Sequence, residues 1–263
     1  MRAIEAMRRH WPEYLIEAWG LGTFMLSAGL FTTLFEFPGS PLREAIGNAA
    51  LRRTLIGVAM GLTAIGIIYS RWGQRSGAHL NPSVTLSFLR LGRITPWDAV
   101  FFMLAQFAGG WLGVVITQVL LGTAFTAPPV QYAVTVPGTQ GATVAFSAEL
   151  AISFGLMGAV LWASSRPGFS RLTGVLDGSL VALYIGLEGR LSGMSMNPAR
   201  TWASAAPAEV FDHLWIYFVA PPLGMLAAAE VFWRFPGTRG CAKLDHSPDM
   251  PCIHCGQKKP AAA

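Results

Sequence analysis

The chain has few charged residues, and a few long stretches have almost none. Only 13% of its 263 residues are Asp, Glu, Lys or Arg, and 52% are hydrophobic, whereas a soluble domain has about 25% charged residues. Four stretches contain at most one charged residue each: Tyr14–Phe35, Ala99–Leu121, Val144–Ala163 and Leu214–Trp233. Because about 20 apolar helical residues cross a bilayer, these stretches argue against a soluble protein and predict membrane-spanning helices.

Two shorter apolar stretches, Thr54–Ser70 and Leu172–Leu187, are flanked by arginines and bring the predicted spans to six. The opening segment is followed by a full-length span, which differs from the shorter apolar core of a cleaved signal, so we expect the first span to be retained. We assign residues 1–12 to an N-terminal segment, 13–235 to the membrane domain and 236–263 to a tail.

The positive charge is asymmetric across the predicted spans. With six spans, both termini and the second and fourth loops share one side, and the other side has only Arg43, Arg52, Arg53, Arg190 and Arg200 of the 19 Lys and Arg residues. Positive loops face the cytoplasm, so we predict a multi-pass cell-membrane protein with both termini cytoplasmic. The same bias explains the net charge of +5. The sequence shows no basic face with base-reading residues, so we predict no nucleic-acid partner.

Cysteine is absent from every predicted span, since Cys241, Cys252 and Cys255 all lie near the C-terminus. The last two have metal-ligand spacing, and Cys241 or His246 could complete a site. One short pair is an incomplete pattern, and a disordered tail with free thiols is the alternative. We therefore assign no metal and no cofactor, and keep a membrane-embedded metal sensor or interaction protein, acting through this tail, as the alternative function.

The two halves of the chain, about 13–121 and 143–235, repeat the same features in the same order. Glu17 lies in the first span of one half and Glu149 in the first span of the other, and an Asn-Pro pair precedes the last span of each. Three spans per half make the halves enter the bilayer from opposite sides. Such inverted repeats place a solute path near the midplane and build it from interrupted helices.

The sequence has only three asparagines, and two of them precede proline. They form the tripeptides Asn81-Pro82-Ser83 and Asn197-Pro198-Ala199. Asn favours the N-cap and Pro the first helical position, so each pair predicts the start of a helix, ending near Arg90 and Ala206. About ten residues of helix span about 15 Å, half a membrane.

Two half-helices that enter from opposite faces can meet N-terminus to N-terminus at the midplane. Each N-terminus has about half a positive charge, which repels cations, including a hydrated proton. A water molecule held by both asparagine amides would lose the donor–acceptor chain that proton hopping needs. The alternative is a pair of helix-capping turns in tight packing without a pore.

The segments Ser76–Thr85 and Met196–Arg200 resemble the two signature loops of the major intrinsic protein family, the aquaporins and aquaglyceroporins. Glu17, Glu149 and Gln106 match buried residues of that family. The resemblance implies an all-α integral membrane fold with six transmembrane helices and two half-helices in an inverted repeat. It also implies a passive channel for water and small uncharged solutes, assembled as a homotetramer in the lipid bilayer.

The family's selectivity filter can be carried over onto this sequence. A gapless alignment places Gly61, Ile185, Met194 and Arg200 at the filter, whereas a Gly-Leu-Thr match favours Met60 in place of Gly61. No aromatic or histidine occupies the first two positions, which implies a wider, less polar constriction that passes glycerol, urea, or arsenous or boric acid. Serine at Ser83, where alanine is usual, also resembles the nodulin-like, metalloid-permeable branch, and its hydroxyl could be a hydrogen-bond partner for Asn81.

Other positions favour a water channel: Thr201 and Ala205 stand where glycerol channels have an aspartate and a basic residue, and the pair Tyr217-Phe218 resembles the aromatic pair of water channels. We therefore predict water permeation together with some small neutral solutes. We expect Glu17 and Glu149 to hold the signature loops by accepting backbone N–H groups, with direct binding of solute as the alternative. We expect His79 to satisfy loop backbone, with pH gating as the alternative. No nucleophile or acid–base pair converges within the spans, so the sequence indicates no enzyme.

Overall fold

The computed structural model describes residues 2–166, 168–234, 241 and 243. Within these residues it contains eleven α-helices, two short 3-10 turns and no strand. The α-helices, in chain order, are α1 Ala3–Glu36, α2 Pro41–Ala45, α3 Ala49–Tyr69, α4 Arg71–Ser76, α5 Pro82–Arg90, α6 Pro96–Leu121, α7 Thr123–Thr126, α8 Ala142–Ser164, α9 Thr173–Ser192, α10 Pro198–Ala208 and α11 Leu214–Trp233. The 3-10 turns are Gln131–Ala133 and Ser170–Leu172.

Six of the described helices are long and apolar enough to cross a membrane: α1, α3, α6, α8, α9 and α11. Helices α5 and α10, with 9 and 11 residues, are the half-helices, and each begins at the proline of an Asn-Pro pair. The predicted fold class is therefore confirmed. We call the side of the bundle on which α1 begins and α11 ends the terminal side, and the opposite side the far side.

Helix α1 begins earlier than the first predicted span. It starts at Ala3 and contains 34 residues, about 51 Å at 1.5 Å per residue, which exceeds a hydrocarbon core of about 30 Å. The charges before Tyr14 set the limit of the apolar stretch but do not end the helix. Instead they support it, since Arg9 pairs with Glu5 one turn earlier at 3.1 Å.

The packing of the spans follows the inverted repeat. Helix α1 lies along α6 in the first half as α8 lies along α11 in the second, and α3 packs against α9 between the halves. Each half-helix rests on the last span of the other half, α5 on α11 and α10 on α6. Small residues permit the close approach: a Cβ on Gly109 of α6 would lie 2.0 Å from the carbonyl oxygen of Ala18 in α1.

Ion pairs join helix ends on both sides of the bundle. On the far side, Glu36 at the end of α1 accepts two hydrogen bonds from Arg52, at 3.1 and 3.0 Å, and one from Arg43 at 2.8 Å. On the terminal side, Arg90 at the end of α5 pairs with Glu230 of α11 at 2.6 Å. These pairs fix the ends of α1, α3 and the first half-helix relative to their neighbours.

Candidate pore and selectivity filter

The two Asn-Pro segments meet and hold each other by reciprocal hydrogen bonds. The side-chain amide of Asn81 donates to the backbone oxygen of Met196 at 2.7 Å, and the amide of Asn197 donates to the backbone oxygen of Leu80 at 2.7 Å. Each asparagine also caps its own helix, because Asn81 Oδ1 accepts from the N–H of Ser83 at 2.8 Å and Asn197 Oδ1 from that of Ala199 at 3.0 Å. The N-termini of α5 and α10 therefore face each other.

Unusual backbone conformations turn the peptide groups of both loops. Ala78 and Leu80 in one loop and Met194 and Met196 in the other have φ between 51° and 55°. A non-glycine residue in this left-handed region costs about 1–3 kcal/mol and persists only where its surroundings hold it. In both loops, a glutamate behind the pore holds the backbone in this conformation.

Glu17 of α1 holds the first loop. Its carboxylate accepts from the backbone N–H groups of His79 at 3.1 Å and Leu80 at 2.7 Å, and from the hydroxyl of Ser76 at 2.7 Å. Gln106 of α6 adds a fourth donor at 2.9 Å through Nε2. Glu17 is fully buried, so these four donors replace the water that the carboxylate lacks.

Glu149 of α8 holds the second loop in the equivalent way. It accepts from the backbone N–H groups of Ser195 and Met196, both at 2.7 Å, and from the hydroxyl of Ser192 at 2.6 Å. Glu149 is also fully buried. The equivalence of the two glutamates follows from the inverted repeat.

His79 is packed among aromatic rings and makes a defined polar contact. Its Nδ1 lies 3.1 Å from the hydroxyl of Thr85, and its ring stacks on Phe88 at a centroid distance of 4.9 Å. It is 3% exposed and contributes to the lining of the central cavity. These contacts fix the ring against α5.

A cavity of about 280 Å³ passes between the helices and is lined by both asparagines. Along α3 its lining runs from Arg53 to Ile68, and along α9 from Asp177 to Gly189. At 1.5 Å per residue, these segments measure about 22 Å and about 18 Å. The cavity therefore extends along most of the bundle, past the meeting point of the half-helices.

At the span-two filter position, Met60 lines this cavity and Gly61 does not. Gly61 faces α9, where a Cβ added to it would lie 2.3 Å from the carbonyl oxygen of Gly178, and Gly178 faces Gly61 in the same way at 2.5 Å. The gapless alignment thus selected a helix-contact residue. The one-residue slip selects the lumen-facing Met60.

The other three carried-over filter residues, Ile185, Met194 and Arg200, all line the cavity. The Arg200 guanidinium donates to the backbone oxygen of Ala133, in the loop between α7 and α8, at 3.1 Å. Arg53, which sequence reasoning did not select, also lines the cavity and donates to the backbone oxygen of Gly186 at 3.3 Å. Its position two helical turns before Met60 was the signal that could have found it.

The residues that resembled those of water channels lie away from the lumen. Thr201 is 1% exposed and bonds to the hydroxyl of Thr135 at 3.0 Å. The hydroxyl of Tyr217 donates to the backbone oxygen of Ser192 at 2.5 Å, and Phe218 stacks on Phe107 with its ring centroid 6.1 Å away. Neither these residues nor Ala205 line the cavity.

Ser83 packs behind the pore rather than into it. It is fully buried, and its hydroxyl has no hydrogen-bond partner among the described residues. Asn81 therefore receives its hydrogen bond from the Ser83 backbone and not from the hydroxyl, contrary to the sequence-based expectation. A small side chain is what this position requires.

Of the tail residues considered as metal ligands, the structure describes only Cys241, which is half-buried. His246, Cys252 and Cys255 lie outside the described residues. Among the described residues, no three His, Cys, Asp or Glu side chains group as metal ligands do.

Comparisons with known proteins agree with this architecture. Residues 16–232 match the family model described as major intrinsic protein. Aquaporin NIP2-3 of Zea mays is 34% identical over 86% of this chain and 74% of its own length, and a putative aquaporin NIP4-1 of Arabidopsis thaliana is 35% identical over 78% and 70%.

The fold also matches a solved structure. The aquaglyceroporin from Plasmodium falciparum superposes with a TM-score of 0.73 over 86% of this chain and 96% of that one, at 19% identity. The family match and the curated relatives, which are of the nodulin-like type, show that this chain forms a multi-pass membrane channel for water and small solutes. It belongs to the major intrinsic protein family.

Proposed function

We propose that this channel conducts water and small neutral hydroxyl- or amide-bearing solutes, and that Met60, Ile185, Met194 and Arg200 form its selectivity filter. The observation that carries the proposal is the composition of the lumen at these positions, where three residues with apolar side chains and one arginine line the same cavity. Glycerol, urea and boric acid have polar hydrogen-bonding groups and a less polar side or face. Apolar side chains can pack against that part while Arg200 donates to a solute oxygen.

We propose that the half-helices exclude ions and protons. Two helix N-termini, each with about half a positive charge, face the lumen where the asparagine amides lie. Arg200 and Arg53 add two full positive charges on the far side of that point. A cation must approach all of these charges without water around it, whereas a neutral solute does not experience the same repulsion.

We further propose that the subunits assemble as a homotetramer in the cell membrane, with the terminal side in the cytoplasm. The excess of Lys and Arg in the loops of that side supports this orientation, and the family resemblance supports the tetramer. Chemical cross-linking in the membrane and protease protection of tags at either end test the two statements separately.

The decisive experiment is stopped-flow light scattering on purified protein in lipid vesicles. Osmotic shrinkage reports water permeability, and re-swelling in glycerol, urea or boric acid reports solute entry, with protein-free vesicles as the control. We expect faster water and solute movement, with no faster collapse of an imposed pH gradient. Vesicles that pass water but take up none of the solutes would contradict the wide filter.

A further inference from the structure

Asp177 is an acidic residue on the lumen to which the conduction scheme assigns no role. It lies in the second turn of α9, close to the terminal side, and contributes to the lining of the cavity. The other lysine, arginine or acidic residues in that lining, among the described residues, are Arg53 and Arg200. An ionisable side chain within a membrane-spanning helix is costly and is normally associated with a partner.

The described part of the protein offers Asp177 no such partner. No hydrogen bond or ion pair joins its carboxylate to residues 2–166 or 168–234. Ile68, Val160 and Val181, which line the same end of the lumen, are apolar, and the polar His79 lines the lumen at the first Asn-Pro loop. Because the carboxylate lines the cavity, a partner can reach it through the lumen.

Electrostatics selects the sign of that partner and its direction of entry. A carboxylate surrounded by apolar walls attracts a cation more strongly than it would in bulk water. A cation from the far side must first pass Arg53, Arg200 and the N-termini of both half-helices. From the terminal side all four lie beyond Asp177, so a cation can reach the carboxylate but cannot continue.

We propose that Asp177 is a binding site for small cations that carry N–H donors, entered from the terminal side, and that occupation of this site obstructs conduction. The guanidinium ion is the probe of choice, because it can form two parallel N–H···O bonds with a carboxylate. The proposal rests on the channel function proposed above, since obstruction is detected as a loss of flux.

The test measures water flux in vesicles sorted by whether an N-terminal tag is accessible from outside. Guanidinium is added outside at pH 8, where an ordinary carboxylate is charged, with urea as a neutral molecule of nearly the same shape. We expect guanidinium to reduce water flux when the terminal side faces outward, and urea at the same concentration to reduce it less. Guanidinium on the far side should have no effect.

In Asp177→Asn, water flux with guanidinium should equal the flux of the same variant without guanidinium. Asp177→Glu should retain the inhibition and keeps the test informative if the asparagine variant is inactive. Asp212→Asn makes the same chemical change at an exposed far-side residue and should remain inhibited. Equal inhibition from both sides, equal inhibition by urea, or inhibition that persists in Asp177→Asn overturns the proposal. Wild-type vesicles no faster than protein-free ones would instead overturn the proposed function.

Discussion

Replacement of Glu149 by alanine should be among the most damaging single changes in this protein. The carboxylate accepts three hydrogen bonds of 2.6 to 2.7 Å from Ser192, Ser195 and Met196. A buried donor left without an acceptor costs about 1–3 kcal/mol, so three cost about 3 to 9 kcal/mol. Because folded domains are stable by only about 5–15 kcal/mol, Glu149→Ala should prevent accumulation of folded protein.

Glu149→Gln is the graded form of the same perturbation. The side-chain oxygen of glutamine can still accept hydrogen bonds, but the NH₂ group faces one N–H of the loop. About one donor is then left without an acceptor, at a cost of about 1–3 kcal/mol. In a chain of this size each kcal/mol lowers the melting temperature by about 2 to 4 °C. Water flux should fall as well, because the loop that Glu149 holds also positions Met194 and Arg200 in the lumen.

Thermal unfolding in detergent and stopped-flow water flux together test this reasoning. Glu44→Gln, the same substitution at an exposed residue of α2, is the matched control and should shift stability by no more than about 0.5 kcal/mol. If Glu149→Ala melts within the range of this control and conducts normally, the three hydrogen bonds do not hold the loop, and the reasoning fails.

Three further predictions concern the lumen. Met60→Phe places a bulkier side chain at the filter and should lower the ratio of glycerol to water permeability several-fold. Gly61→Ala should instead impair folding, because its Cβ meets α9. Re-swelling assays measure the first effect and expression levels the second. Arg200→Val removes a positive charge from the lumen and should raise proton or cation leak about tenfold, equivalent to about 1.4 kcal/mol, as measured with a pH-sensitive dye; an unchanged leak would contradict its role in exclusion. Mercurials should leave water flux unchanged, because all three cysteines follow the last span. Inhibition that persists in a variant without cysteines, made by removal of residues 242–263 together with Cys241→Ser, would contradict this reasoning.

The sequence by itself determined the class of protein. Long uncharged stretches can be accommodated only in a bilayer or a large core, so composition alone predicted the six spans. Asn-Pro is a local signal, since the N-cap preference of Asn and the fixed φ of Pro act within one turn. The starts of α5 and α10 were therefore readable from residues 81–82 and 197–198.

Only the tertiary structure decided which side chains face the lumen. Gly61 and Met60 are neighbours in the chain, and the choice between them depends on how α3 is rotated against α9, which the contact between Gly61 and Gly178 sets. Tyr217 and Thr201 matched a water-channel pattern but point into protein, where the Tyr217 hydroxyl donates to the backbone oxygen of Ser192 and the Thr201 hydroxyl accepts from that of Thr135. Asp177 and Arg53 likewise acquire their positions at opposite ends of one cavity through packing between helices that are distant in sequence, which no local pattern specifies.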